Sequence, residues 1–452
     1  MKTRIFRLLF ISITLILTAL FVAGQARPVY CENEVDVVTT AILQRTNSGY
    51  WLEWIESLSG AQYVSINGQE TIITSRYSPA MFDGYPNARA FEYVLEQVRS
   101  WYPSDQIDIH EYQTYFDGRN RIWKNLIVTI PGTVSPGEVV ILSAHLDSVI
   151  YSDYSPYLTA PGAEDNGSGS AALLEAARLF RGYRFERTIK IIWFTGEEQG
   201  LRGSRAYVNE RDIRGVVGVI NLDMFGYDSD NDFCFELHVG NKESSQAIGE
   251  VFARAARKFS PSLTWDTIKY PMNYSDHASF LEKGIGAIEI LENFHNDQIE
   301  GGCIGQDKNP HYHKYTDTTD KLNVESGFAI VRAALAAVID LAKPVRACLE
   351  NRPVILSISQ HPLSLLVSWS QSPGADHYEL YRSIVNCSEA SEKIADLSHP
   401  QFLDGLFPDQ QILYYQVVGI AQGGGCVSLP SECRSGVLAT APYHSFISQI
   451  WK

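Results

Sequence analysis

The chain has 452 residues, too many for one typical domain and enough for a large core with a smaller module beside it. With 45% hydrophobic and 20% charged residues it is composed like a folded globular protein, which excludes a largely disordered chain. The formal net charge of -15 excludes a nucleic-acid partner held through phosphate contacts, but it suits a cationic or metal-bound ligand.

Residues 1–26 read as an export signal. Lys2, Arg4 and Arg7 precede an uncharged apolar run from Leu8 to Ala23, and the small residues Ala23, Gly24 and Ala26 offer a cleavage site. The run is shorter than the roughly 20 residues that span a bilayer comfortably. A cleaved leader is therefore expected, giving a secreted or periplasmic protein with no stable membrane partner. All seven cysteines lie beyond it, where disulfides are permitted; the odd count leaves at least one unpaired in a monomer. One bridge is expected among Cys387, Cys426 and Cys433. Asn166, Asn273 and Asn386 open N-x-S sequons, which matter only in a glycosylating host.

Between about residues 36 and 348, helical and strand patterns alternate. Ala88 to Trp101 has helical apolar spacing, while Asn125 to Ile130 and Glu138 to Ser143 are strand-like. Ala171 to Phe180 follows as a helix, with Ser168 or Ser170 available as its N-cap. Ile189 to Thr195, Val216 to Leu222 and Ile285 to Leu291 are further apolar β-branched runs. This grammar predicts an α/β fold, an open and mostly parallel mixed sheet with helices on both faces. From 352 to 441 the pattern changes. "LLVSWSQSPGADHYELYRS" and "LYYQVVGI" are short alternating strands between turns, the pattern of a small β-sandwich. They resemble a fibronectin type III module, with Trp369, Tyr378 and Tyr415 as its core aromatics.

Polar groups gather where the apolar strands of the first region end. "LSAHLDS" places His145 and Asp147 after one strand, "APGAEDNGSGS" places Asp165 before a helix, and "IIWFTGEEQGLRGS" carries Glu197 and Glu198 to a glycine-rich turn. "VINLDMFGY" adds Asp223, and "NPHYHKYTDT" supplies His311, His313 and Asp317. Each alone fits a cap, a turn or a packed histidine. Together they would converge on the crevice at the carboxyl ends of the strands. Imidazole and carboxylate are suitable zinc donors, and two glutamates at a bending strand end can take different roles. Spacing alone does not decide which. Asp228, Asp230 and Asp232 lack the glycine and glutamate of an EF-hand and read as a polar turn.

The ordered set HLDS, EDNGSG, GEEQGLRGS, NLDM and a late YH followed by DT resembles the secreted di-zinc aminopeptidase family that includes bacterial leucyl aminopeptidase and yeast aminopeptidase Y. "RYSPAMFDGYPNARA" and "KNLIVTIPG" extend the likeness upstream, so that it covers roughly 36 to 348. The resemblance implies two zinc ions, one held by His145 and Asp223, the other by Glu198 and His313, with Asp165 between them. It further implies Glu197 as general base towards a metal-bound water, Asp147 steadying the His145 ring, and a cis peptide between Asp165 and Asn166. Asp276 and His277 would border the site, Met224 would line the side-chain pocket or pack in the core, and His311 would be a bystander. The implied activity is hydrolysis of peptides from the free amino terminus. Glutaminyl cyclase of the same fold, with one zinc, is the alternative, as are a carboxypeptidase or dipeptidase and a non-catalytic binding ectodomain. The C-terminal module is a candidate for binding a surface or polymer.

Overall fold

The computed structural model describes residues 34–437 except 152–153, 271–272, 296–301, 345–348, 350, 362–363, 385–386, 388–391, 406–410 and 422–426. The expected leader, 1–26, lies outside the described residues. The chain divides into two units, Met1–Val37 and Val38–Lys452. Among described residues the first contributes only the start of helix α1 (Glu34–Gln44). No helix among the described residues is long and apolar enough to cross a membrane.

The second unit holds helices α2 (Ser48–Leu58), α3 (Ser78–Phe82), α4 (Ala90–Trp101), α5 (Gly169–Phe180), α6 (Arg202–Glu210), α7 (Glu243–Phe259), α8 (His277–Glu282) and α9 (Val324–Ala342). After a hairpin of β1 (Tyr63–Ile66) and β2 (Gln69–Ile72) come β3 (Ile107–Phe116), β4 (Arg119–Ile130), β5 (Ser135–His145) and β6 (Arg187–Phe194). β7 (Val216–Leu222), β8 (Cys234–His238), β9 (Thr264–Ile268) and β10 (Ala287–Glu292) complete an eight-stranded sheet of order β3-β4-β6-β5-β7-β10-β8-β9. Its centre is parallel: β5 lies between β6 and β7, and β10 joins β7 in the same sense. Antiparallel pairings, β3 with β4, β4 with β6 and β10 with β8, make the whole sheet mixed.

Alternation along the central strands explains the two covered faces. Val140 and Leu142 of β5, with Ile189 and Ile191 of β6, point into the core shared with α5 and α9. Their neighbours Ile141, Ile192 and Phe194 point the other way, onto Tyr207 of α6 and Phe280 of α8. A sheet buried on both sides reads as continuous apolar runs, which is why these strands stand out in the sequence. The expected N-cap of α5 is not formed by serine. Ser168 already has helical dihedrals and its hydroxyl bonds Glu164 O, while Ser170 Oγ bonds His145 O. Asn166 Oδ1 instead accepts the Gly169 N–H at 2.8 Å. That side chain is fully buried, so the sequon at Asn166 is spent inside the fold.

Towards the C-terminus, β11 (Ile355–His361), β12 (Ser364–Trp369), β13 (His377–Ser383), β14 (Glu392–Leu397), β15 (Gln401–Gly405), β16 (Ile412–Ile420) and β17 (Arg434–Val437) form two antiparallel sheets of three and four strands. Val367, Trp369, Tyr378, Leu380 and Tyr415 fill the space between them. Tyr381, Val418 and Ile420 instead join the core of the α/β region. Cys387 bridges Cys433, and an unanticipated bridge joins Cys234 to Cys303. The remaining cysteines, Cys31, Cys348 and Cys426, lie outside the described residues.

Candidate active site

Three parallel strands end side by side, and each delivers an acid or imidazole. His145 is the last residue of β5, Asp223 follows β7 directly, and Glu197 and Glu198 follow β6 after Thr195 and Gly196. Gly196 makes the turn with φ 71°, and the Trp123 ring leaves no room there for a Cβ. Asp165 arrives from the segment before α5, where the Asp165–Asn166 peptide is cis, as expected. His313 reaches in from the 293–318 loop at φ 55°, a conformation that favours glycine. Tyr151 donates its N–H to the His313 carbonyl, and the Tyr312 ring stacks on the imidazole at 3.7 Å.

Asp165 stands in the middle. Its Oδ1 is 3.3 Å from His145 Nε2 and its Oδ2 is 3.1 Å from His313 Nε2. Outside them, Asp223 Oδ1 is 3.0 Å from the His145 ring and Glu198 Oε2 is 3.0 Å from the His313 ring. The structure thus brings all five expected ligands together, with Glu197 beside them on the wall of the same cavity. Burial disfavours charge on His145, but Asp223, Glu197 and hydrogen bonds to Asp165 and Asp223 drive it well above its ordinary range. Burial likewise opposes charge on His313, yet hydrogen bonds to Asp165 and Glu198 push it up to about 10. Asp165 is pulled well below the usual carboxylate range, against its burial, by the same two imidazoles. Glu198, raised by burial and then by Asp165, reaches about 7. Glu197 is raised well above its ordinary value, first by burial and then by Asp223 and Glu198, against the pull of His145.

Such a centre calls for positive charge between the rings and the acids. Glu198 Oε1 is buried without a hydrogen-bond partner, although its twin faces His313. Two imidazoles and three carboxylates within reach of one another are a donor set that fits divalent zinc and leaves room for water.

Residues 125–338 match peptidase family M28. That segment is what resembles the family. A probable leucine aminopeptidase of Trichophyton verrucosum is 32% identical over 225 residues, 48% of this chain and 57% of that protein. A probable aminopeptidase of Saccharomyces cerevisiae is 26% identical over 272 residues, 57% of this chain and 67% of its own length. The chain thus spans less than two thirds of the leucine aminopeptidase it matches. Among solved structures, the Legionella pneumophila LapA aminopeptidase shares the fold with a TM-score of 0.54 at 21% identity, over 71% of this chain and 78% of its own. Glutaminyl cyclase of Porphyromonas gingivalis shares it with a TM-score of 0.50 at 17% identity, over 66% and 99%.

Around this centre, several residues act differently from the sequence-based expectation, and others have roles that the sequence does not show. The Asp147 carboxylate does not hydrogen-bond the His145 ring: Nδ1 lies 3.0 Å from the Asp147 backbone carbonyl and 3.7 Å from the carboxylate. That carboxylate accepts the N–H groups of Glu197 and Glu198 at 3.2 and 3.3 Å, so it fixes the glutamate turn. A strand end that reverses over two residues exposes adjacent N–H groups, and these compete successfully for the acid. The sequence assigns Asp317 no role. Its two oxygens accept the N–H groups of Glu164 and Asp165 at 3.0 and 3.1 Å, which holds the central aspartate's backbone.

Arg76 was not singled out at all. It is fully buried and donates to the carbonyls of Leu146, Leu58, Pro161 and Gly162. Its position in "RYSP" gives no sign of this, because the carbonyl cage exists only once three distant segments meet. Met224 lines the cavity, as one of its two expected placements had it. Asp276 is buried beneath the site, and burial raises it to about 7. His311 Nδ1 pairs with Thr316 Oγ1 at 2.8 Å, away from the ligand atoms. Asp228, Asp230 and Asp232 bond the backbone N–H groups of Phe233, Asp232 and Cys234 respectively, as a polar turn would.

Proposed function

We propose that the M28 domain removes residues from the free amino termini of peptides with the help of two zinc ions. The observation that carries this reading is Asp165, whose two oxygens face two imidazoles, each ring in turn meeting its own outer carboxylate. His145 and Asp223 would hold one ion, His313 and Glu198 the other, and Asp165 both. When bound, zinc supplies Lewis acidity to the scissile carbonyl and lowers the pKa of an attacking water.

The chain's own groups do the rest. Glu197, on the cavity wall and shifted upward by burial, is suited to take the water's proton and pass it to the leaving amine. Asp147 holds the backbone of both glutamates, so that neither can swing into the other's place. The expected leader and two disulfides fit a secreted or periplasmic setting. The sandwich of 352–441 fits a fibronectin type III-like accessory module.

The decisive experiment compares aminoacyl anilides, N-blocked peptides, C-terminal substrates and an N-terminal glutaminyl peptide, with zinc measured on the same preparation. Cleavage of free aminoacyl substrates at two zinc ions per chain is the expected result. Saturation at one ion with conversion of the glutaminyl peptide to a ring would overturn the reading in favour of the cyclase. Turnover of blocked peptides from the other end would favour a carboxypeptidase. Metal-free, inactive protein would leave the fold as a binding ectodomain.

A further inference from the structure

The cavity beside the candidate metal centre has a volume of about 540 Å³. Met224, Leu291, Phe294 and Tyr312 give it apolar walls, but His238, His295 and Glu289 also line it. Two of these are unusual for their place. Every residue of β8 and β10 is buried, and His238, the last residue of β8, is the register partner of Glu289 in β10. Charged and polar groups rarely sit in such positions without a ligand or partner to meet.

Glu236, two residues before His238, arranges the rings. Its Oε2 lies 2.7 Å from His238 Nε2 and 2.7 Å from His295 Nδ1, and its Oε1 accepts the His295 N–H. Against the upward push of burial, the two histidines hold Glu236 at about 2. An ionised carboxylate only accepts, so the ring nitrogens facing it carry hydrogen, and in a neutral ring the opposite nitrogen is an acceptor. A neutral His238 would present that acceptor at Nδ1. That atom is buried without a hydrogen-bond partner, 3.7 Å from Glu289 Oε2. His277 Nδ1 lies 3.5 Å from the same carboxylate oxygen. A ring acceptor and a carboxylate therefore sit together in this wall. Arg205, the cation that lines the cavity, is half exposed and 3.8 Å from Glu282. Lys308 rests on the Phe294 ring and is not part of the lining.

We propose that this pocket selects a cationic first residue, lysine or arginine, with Glu289 as its counter-charge and His238 Nδ1 as a further acceptor. The methylene stem would lie along Met224, Leu291, Phe294 and Tyr312, which suits a chain that is apolar for most of its length. A leucine would fill the walls and leave the acceptors desolvated and unmet, which a site built for donors penalises. This inference rests on the aminopeptidase reading and names its substrate class.

The test uses the zinc-loaded full chain and fluorogenic amides of lysine, arginine, norleucine, leucine and glutamate. Lysyl or arginyl substrate should exceed norleucyl in kcat/KM by at least about tenfold, since norleucine keeps the stem and lacks only the charge. In Glu289→Gln the lysyl-to-norleucyl ratio should fall towards one. Calorimetric titration of wild-type protein with L-lysine and L-norleucine reads the same pocket without turnover and without the variant, and lysine should bind at least about tenfold tighter. Equal or tighter binding of norleucine would overturn the proposal. So would a preference for glutamyl substrate, which would mean that the rings carry charge. A third zinc ion per chain that disappears in Glu236→Gln would overturn it as well, because the rings would then be metal ligands. If no amide is cleaved but lysine still binds better than norleucine, the aminopeptidase reading fails and the pocket assignment stands.

Discussion

Glu197 and Glu198 are chemical twins separated by their surroundings, and mutation should separate them again. On the proposed mechanism, Glu197→Ala removes the proton carrier and leaves the five proposed ligand side chains in place. Turnover should fall by roughly 10² to 10⁴ with zinc content nearly unchanged, the range of general acid-base catalysis. On the same reading Glu198→Ala removes a ligand, so its loss should come with weaker zinc retention and partial recovery in excess zinc. Steady-state kinetics beside metal analysis distinguishes the two; wild-type turnover in Glu197→Ala would sink the mechanism. Asp147→Asn should damage both functions together. An amide can accept through one atom only, and its NH2 group would face a backbone N–H that now meets the carboxylate. We expect lower kcat and lower zinc affinity in one variant, with secondary structure by circular dichroism unchanged.

At the scale of elements, the approach of α5 to the sheet is what places Asp165. A Cβ at Gly169 would come within 2.8 Å of Leu222 O and 2.9 Å of the Ala144 side chain, besides striking Asn166 Oδ1. Gly169→Ala should therefore push the helix start off β5 and β7, lowering both the melting temperature and zinc content; an unchanged melting curve would contradict this packing argument. The same elements show what the sequence can carry. β5, β6, β7 and β10 announce themselves as apolar runs because both faces of each are covered. β8 does not, since Glu236 and His238 interrupt the pattern in a strand that is nevertheless buried. His238 lines the cavity and Glu236 holds its ring, so here tertiary context overrides propensity. The five clustered positions are legible through their order along the chain. Arg76 and the hold of Asp317 on the Asp165 backbone were not, because both depend on contacts between segments far apart in sequence. Disulfide pairing is similarly beyond spacing: Cys234–Cys303 spans 69 residues and ties the start of β8 to the loop beyond His295.

Across the whole molecule, the sandwich and the α/β region meet through a buried ion pair. Arg45 Nη2 donates to Glu379 Oε2 at 2.6 Å, and its Nε donates to Tyr381 Oη. Burial pushes Glu379 up, yet Arg45 and the Tyr381 hydroxyl hold it at about 2. A carboxyl depressed in the folded state stabilises above its unfolded value, near 4.3, and the contribution fades as pH falls from there to about 2. Glu379→Gln should thus melt well below wild type at neutral pH, and the gap should narrow over that acid window. A gap independent of pH would rule out the ion pair as its source. Arg45 also stands two residues before Asn47, which caps α2, and Trp51 of that helix donates to Ser168 O, three residues from Asp165. The sandwich is therefore a buttress beneath the segment that carries Asp165. Domain shuffling has to respect it: a recombined chain that brings no acid to the place of Glu379 inherits a stranded guanidinium and a loosened active site.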